Sequence, residues 1–185
     1  MKKLNKAIFL DRDGTLIYEK HYLNDPEKIK LFAGVVPALK TLQRQGWKLI
    51  IGTNQAGIAR GYVTIKSLHA IHDKLLKIFE RGGVKIDAIY FCPHHPNLCC
   101  NCRKPQSGMI RQAQKKFNLN LRECFVIGDN ASDILWGKNV GAKTALVLTG
   151  YGKRTKKESK VKPDIIARSL PFAVKKILWQ DCTVA

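Results

Sequence analysis

The sequence predicts an α/β fold, a three-layer, Rossmann-like parallel sheet with helices on both faces. Two observations carry that expectation. Short, almost uninterrupted apolar runs alternate along the chain with longer stretches of helical periodicity. The runs also lack the in–out alternation of a one-sided sheet, as expected of strands buried on both faces. Strand–helix alternation implies parallel strands joined by right-handed crossovers. At 185 residues one domain over 1–185 is expected, since a chain of this size buries ~70% of its unfolded surface. Neither an internal repeat nor a low-complexity segment interrupts it.

The first strand is Ala7-Ile-Phe-Leu10, and it runs into Asp11-Arg-Asp-Gly-Thr15. Near-extended backbone alternates its side chains, so Asp11 and Asp13 can point the same way at the strand's carboxyl end. Gly14 permits a sharp turn there. Residues 18–26 form a polar, aromatic-containing loop that would overhang this end. A helix from Val35 ends near Gly46, with Pro37 in its first turn. The strand Trp47–Ile51 follows and leads to Gly52-Thr-Asn-Gln55. Thr64–Arg81 reads as a helix closed by Gly82-Gly83. His69 and His72 lie on it with no Cys or carboxylate in step, and read as surface or packing residues. The strand Ile86–Phe91 opens into a loop over about 92–105 that is rich in Cys, His and Pro. A helix over 108–117, a strand over 124–127 ending at Gly128-Asp129-Asn130, a helix over 134–140 and a strand over 144–148 come next. The run Lys153-Arg-Thr-Lys-Lys157 with Lys160 and Lys162 reads as a solvated loop. A strand over 164–167 and a helix over 170–179 end the chain.

Composition narrows the setting. The 45% hydrophobic and 25% charged content is that of a soluble globular protein, and no apolar run nears the ~20 residues of a membrane span. The basic N-terminus is followed by only four apolar residues, short of the ~7 of a signal sequence, so a cytoplasmic setting is expected. The 33 Lys and Arg against 14 Asp and Glu give +19, which favours anionic partners, a phosphorylated metabolite or a nucleic acid. Six cysteines lie at 92, 99, 100, 102, 124 and 182. Three within four residues suit a metal site better than a disulfide framework in a reducing compartment.

Three strand ends carry chemistry: Asp11 with Asp13, then Thr53 with Asn54, then Asp129. Three carboxylates make an oxygen cage for Mg²⁺, and such a cation lets a carboxylate approach an anionic phosphate. Thr53 and Asn54 offer a hydroxyl and an amide to phosphate oxygens, and Lys104 would complete the charge neutralisation that phosphoryl transfer needs. In the loop, Cys92 and His94 or His95, with two of Cys99, Cys100 and Cys102, provide a Cys₃His set for tetrahedral Zn²⁺. With all four ligands from protein, such a zinc would be structural and would pin the loop.

The order Asp11/Asp13, Thr53, Lys104, Asp129 resembles the four motifs of the haloacid-dehalogenase-like phosphatases. The segments Phe9-Leu-Asp-Arg-Asp-Gly-Thr15, Thr53-Asn-Gln-Ala-Gly-Ile-Ala-Arg-Gly61, Cys92-Pro-His-His-Pro96 and Cys102-Arg-Lys-Pro105 resemble, more narrowly, the D-glycero-D-manno-heptose 1,7-bisphosphate phosphatases, over about residues 7–150. The resemblance implies a fold without a large cap domain, and removal of the C7 phosphate on the route to the ADP-heptose of lipopolysaccharide. It implies Asp11 as nucleophile, Asp13 as proton donor, and Thr53 and Lys104 as stabilisers of the transferred phosphoryl group. It places Mg²⁺ on Asp11, Asp13 and Asp129, and selects Cys92, His94, Cys100 and Cys102 for zinc. Substrate contacts are implied for Glu19, Lys20, His21, Tyr22, Asn54, Gln55, Ala56, Arg103 and position 130. Two departures stand out: Asn130 where the family often has Lys, and a short cysteine loop. Histidinol-phosphate phosphatases share the Asp-x-Asp-Gly-Thr motif and the zinc loop and are the nearest alternative. A DNA 3′-phosphatase and a non-enzymatic, zinc-stabilised nucleic-acid-binding protein are further ones. The expected partner is a small phosphorylated sugar, with no nucleic acid and no membrane, acting on a monomer.

Overall fold

The computed structural model describes residues 4–182. Six parallel strands, β1 (Ala7–Leu10), β2 (Lys48–Asn54), β3 (Ala88–Cys92), β4 (Phe125–Gly128), β5 (Lys143–Val147) and β6 (Ile165–Ala167), form one sheet in the order β3-β2-β1-β4-β5-β6. The register aligns Phe9 with Ile50 on one side and Val126 on the other. Strand order reverses direction between β1 and β4. In open α/β sheets the crevice beyond the carboxyl ends at that point is where ligands bind.

The period-2 rule divides β1 between two cores. Ile8 and Leu10 join Leu39 and Leu42 of α1 (Val35–Arg44), Ile71, Leu75 and Phe79 of α2 (Ile65–Arg81), and Ala173 and Ile177 of α6 (Leu170–Cys182). Ala7 and Phe9 face the other way, onto Met109, Ile110 and Ala113 of α3 (Gly108–Phe117) and Trp136 of α4 (Ala131–Lys138). All four residues of β1 are fully buried. At ~25 cal/mol per Å² of apolar surface, both faces contribute to holding the strand that carries Asp11.

Several boundaries differ from the sequence expectation, each for a physical reason. β2 reaches Asn54, so Thr53 and Asn54 are its last residues, paired with Phe91 and Cys92, and not part of a following turn. Helix α4 starts at Ala131, where Asn130 and Asp133 form a reciprocal cap; apolar spacing alone suggested a start three residues later. The basic run is a helix, α5 (Gly152–Glu158), and not a loop. Its Lys and Arg residues are good helix formers, Lys156 and Lys157 sit in the last turn where the dipole favours cations, and Arg154 pairs with Glu158 at 2.7 Å. Residues 11–34 and 93–107 are connections, with a single short 3₁₀ turn at Pro26–Lys28. Among the described residues no helix is long and apolar enough to cross a membrane.

Candidate active site

A cleft of about 350 Å³ opens at the carboxyl ends of β1, β2 and β4. Asp11 follows β1 and Asp129 follows β4, with the Asp11 amide bonded to the Ile127 carbonyl at 2.9 Å. Asp133, in the first turn of α4, comes in beside them, and one carboxylate oxygen from each of the three lies within 4.8 Å of the others. All three are buried. The close approach depends on glycine. At Gly14 (φ +83) any Cβ would collide with the Asp129 carboxylate.

Lys104 lies beneath this cluster, 4% exposed, and does not line the cleft. Its ammonium donates to Asp11 Oδ1 and to the Gly52 carbonyl at 2.9 Å, and lies in ion-pair contact with Asp133 Oδ1 at 2.6 Å. Three carboxylates against one ammonium leave a formal charge of −3 + 1 = −2 in a buried space. Burial pushes the Asp11 carboxyl well up, against the pull of Lys104, and the neighbouring carboxylates add to the rise. Asp129 is pushed up to about 7, first by burial and then by Asp133. The two Asp carboxylates hold Lys104 charged although burial opposes it. A hard divalent cation fits this donor set: it matches the oxygen ligands and cancels the residual charge.

Asp13 is placed differently from the expectation that put its carboxylate with the metal ligands. Its side chain is outside the three-carboxylate group and is held by Arg12 (Nε 3.0 Å, Nη2 2.8 Å) and by Gln55 Nε2 at 3.0 Å, all on Oδ2. The guanidinium cancels its charge locally, so it does not need the cation. Gln55 Nε2 also donates to Thr53 Oγ1 at 2.8 Å. Asn54 lines the cleft, but both ends of its amide are committed to the Lys104 backbone, at 3.0 and 3.2 Å. It therefore fixes the entry of Lys104. Asn130 lines the cleft and caps α4 through Ser132 N at 3.2 Å.

Glu19, His21, Tyr22, Ala56 and Arg103 line the cleft; Lys20 is exposed and lies outside it, its backbone N–H donating to Glu19 Oε1 at 3.0 Å. Arg103 Nη1 is buried without a hydrogen-bond partner among the described residues. Of the lining residues that were not anticipated, three make contacts that shape the site. Asp133 also caps α4, its Oδ2 accepting from Asn130 N at 3.0 Å. Arg60 lines the cleft and donates to the hydroxyl of Tyr22, whose ring packs at a tilt of 43° against Tyr62 with centroids 4.7 Å apart. Tyr151, in the first residues after β5, donates its backbone N–H to Asp129 Oδ2 at 2.7 Å.

Beside the cleft, the loop after β3 gathers Cys92, His94, Cys100 and Cys102. Their edges measure 3.7 Å (Cys92–Cys100), 3.7 Å (Cys100–Cys102), 3.6 Å (Cys92–His94) and 3.2 Å (His94–Cys102). Sulfur and nitrogen ligands at ~2.3 and ~2.0 Å from a tetrahedral zinc would lie roughly 3.5–3.8 Å apart. The soft donor set and the spacing fit Zn²⁺. Cys99 is exposed and His95 Nδ1 instead accepts from Asn97 N at 3.3 Å, so neither belongs to the group.

A HAD-hydrolase-like family model matches residues 101–173. The chain is 38% identical to the D-glycero-beta-D-manno-heptose-1,7-bisphosphate 7-phosphatase of Haemophilus ducreyi over 89% of its own length and 94% of that protein's. It is 41% identical to the protein of the same name from Helicobacter pylori strain 26695, over 78% and 84%. Its structure resembles that of the D,D-heptose 1,7-bisphosphate phosphatase of B. bronchiseptica, crystallised with magnesium and phosphate. The TM-score is 0.89, with 30% identity and 96% and 99% of the two chains covered. The chain belongs to the D-glycero-beta-D-manno-heptose-1,7-bisphosphate 7-phosphatase family, within the HAD-like hydrolases.

Proposed function

We propose that this chain, acting as one domain in the cytoplasm, removes the C7 phosphate of D-glycero-D-manno-heptose 1,7-bisphosphate in the synthesis of ADP-heptose for lipopolysaccharide. The observation that carries the reading is the buried Asp11–Asp129–Asp133–Lys104 cluster at the mouth of the sheet, in a chain whose relatives of that name match it nearly end to end.

Lys104 holds Asp11 by Oδ1, which leaves Oδ2 as the attacking atom. Asp11 Oδ2 forms a bond to phosphorus as the bond to the sugar oxygen breaks, and Asp13 gives that oxygen its proton. Asp13 then takes a proton from water, whose oxygen attacks the aspartyl-phosphate and frees phosphate and Asp11. Both half-reactions use one positioned acid–base group, a contribution of ~10² to 10⁴ in rate. Asp11, Asp129 and Asp133 would hold Mg²⁺, which supplies charge neutralisation at the phosphoryl oxygens. Thr53 Oγ1, already anchored by Gln55, offers its hydroxyl proton to one of those oxygens. The remote C1 phosphate needs cations of its own. Arg103, with its unpartnered Nη1, and Arg60 supply planar forks for it. Cys92, His94, Cys100 and Cys102 would bind a structural Zn²⁺ that fixes the direction of Arg103 and Lys104.

The test is to follow heptose 1,7-bisphosphate by ³¹P NMR. Loss of the C7 resonance with retention of the C1 phosphate, abolished by EDTA and restored by Mg²⁺, is expected. Release of the C1 phosphate first would contradict the reading.

A further inference from the structure

The phosphatase chemistry gives His72 no task, yet its placement is specific. It sits on the inner face of α2, 6% exposed, edge-on to Phe91 with ring centroids 5.9 Å apart. Its Nε2 lies 3.2 Å from Nη1 of Arg12. Arg12 is 1% exposed and comes from the loop between the two catalytic aspartates. A guanidinium has only donors and stays charged, so Nη1 donates and Nε2 accepts. His72 is therefore neutral, with its proton on Nδ1. Burial, reinforced by Arg12, pushes its basicity down to about 3, which keeps it an acceptor.

The other edge of the same guanidinium grips Asp13. Nε and Nη2 both reach Oδ2, at 3.0 and 2.8 Å, and Gln55 Nε2 adds a third donor to that oxygen at 3.0 Å. Hydrogen bonds from Arg12 Nε and Gln55 Nε2 engage both lone pairs of this oxygen, with Nη2 in ion-pair contact beside them, and leave none for a proton. Among the described residues no hydrogen bond reaches Oδ1.

We propose that His72 is a positioning residue for the acid step: by accepting from Arg12 Nη1 it locks the guanidinium onto Asp13 Oδ2 and leaves Oδ1 as the proton-transfer atom. This rests on the assignment of Asp13 as proton donor given above. In the step, the Oδ1–H bond breaks as an O–H bond forms to the oxygen of the departing alcohol and its P–O bond cleaves. The electron pair left on Asp13 is stabilised by Arg12. Without the His72 acceptor, Nη1 would lose its only partner among the described residues, and the guanidinium would be free to rotate about Nε and loosen its two contacts with Oδ2.

A merely structural histidine would affect all substrates alike, whereas an acid-positioning one matters most when the leaving group needs a proton. The measurement is kcat/KM, which reports the steps through leaving-group departure, for benzyl phosphate (a poor leaving group) and p-nitrophenyl phosphate (a good one). Two amides are compared on the Mg²⁺-loaded full chain. In H72Q the amide oxygen falls near the position of Nε2, and in H72N it falls short. H72N should lose ~10-fold on benzyl phosphate and less than ~3-fold on p-nitrophenyl phosphate, and H72Q should recover most of the loss. Melting temperatures of the two variants should be similar. Equal losses on both substrates, or losses that H72Q fails to relieve, would overturn the proposal. D13N run alongside separates the two readings: it should show the same leaving-group contrast, and larger. A contrast in D13N that is missing from H72N sinks the role of His72 alone; no contrast in D13N removes Asp13 as the donor.

Discussion

Asp11, Asp129 and Asp133 come from the ends of two strands and the start of a helix, spread over residues 11–133, whereas Cys92, His94, Cys100 and Cys102 lie within one loop. The first cluster exists only when β1 and β4 are paired, so it is a product of the fold. The second requires nothing beyond its own segment and the end of β3, so the loop can be made by its ion. The donors differ in the same sense. The carboxylates are buried and carry excess charge that opposes folding until a cation or a proton relieves it. Of the sulfurs and imidazole only Cys92 is buried, the other three being partly exposed, and without an ion they have only weak contacts with one another. On the proposed function the first cluster performs chemistry at a cost in stability, whereas the second, with zinc bound, would contribute stability and perform none.

The largest expected effect falls on the carboxylate side. Asp11→Asn should abolish turnover while leaving the melting temperature of the chelated protein unchanged or higher, because the amide is no nucleophile and removes one of the mutually repelling charges. Measurable turnover above a small fraction of wild type would exclude Asp11 as the attacking group.

Lys104→Met separates the two sides next. It leaves three buried carboxylates without their ammonium, a loss of about 3 kcal/mol or more in EDTA. Mg²⁺ should recover much of it in denaturant titrations, since the cation takes over the missing charge. Insensitivity of this variant's stability to Mg²⁺ would mean that the cluster does not hold the ion.

Ser in place of Cys100 or Cys102 should lower zinc content from near one per chain and reduce the melting temperature, with kcat falling only as far as the Arg103–Lys104 segment loosens. Elemental analysis of active protein that finds no zinc would refute the structural-zinc assignment.

The smallest effect is a pH dependence. The Asp129 carboxyl titrates near 7 in the fold and at ~3.9 unfolded. Between those values the folded state holds a proton that the unfolded state has lost, so this group's contribution to stability declines as pH rises from about 4 to 7 and is level above. Mg²⁺ must displace that proton, so its stabilisation should be larger at pH 8 than at pH 5. A Mg²⁺-induced rise in melting temperature that is equal at both values would contradict the protonated state of Asp129.

Much of this site could be read in the sequence because its residues sit where the chain changes character. Asp11, Thr53 and Asp129 each terminate an apolar run, and a carboxylate or hydroxyl at a strand end has few structural reasons to be there. The cysteine loop was legible for the opposite reason, its ligands being neighbours in sequence. Asp133 was hidden by a second role, since a carboxylate three residues after an N-cap is the ordinary capping pattern. His72 was read as packing because its partner, Arg12, is sixty positions away and no periodicity links them. The displacement of Asp13 from the metal group had the same origin: spacing puts Asp11 and Asp13 on one side, and only the tertiary contact with Arg12 and Gln55 separates them. Helix α5 was missed because charge was taken as a sign of a loop, when Lys, Arg and Glu are also good helix formers.

The most direct test of the central claim is the ratio of kcat/KM for heptose 1,7-bisphosphate to that for histidinol phosphate, measured with Mg²⁺ on one preparation. The remote phosphate should meet Arg103 and Arg60, while the histidinol amine would enter a strongly basic protein. A ratio of at least ~100, about 2.7 kcal/mol of differential transition-state binding, is predicted. A ratio below one would contradict the assignment of substrate while leaving the aspartate chemistry in place.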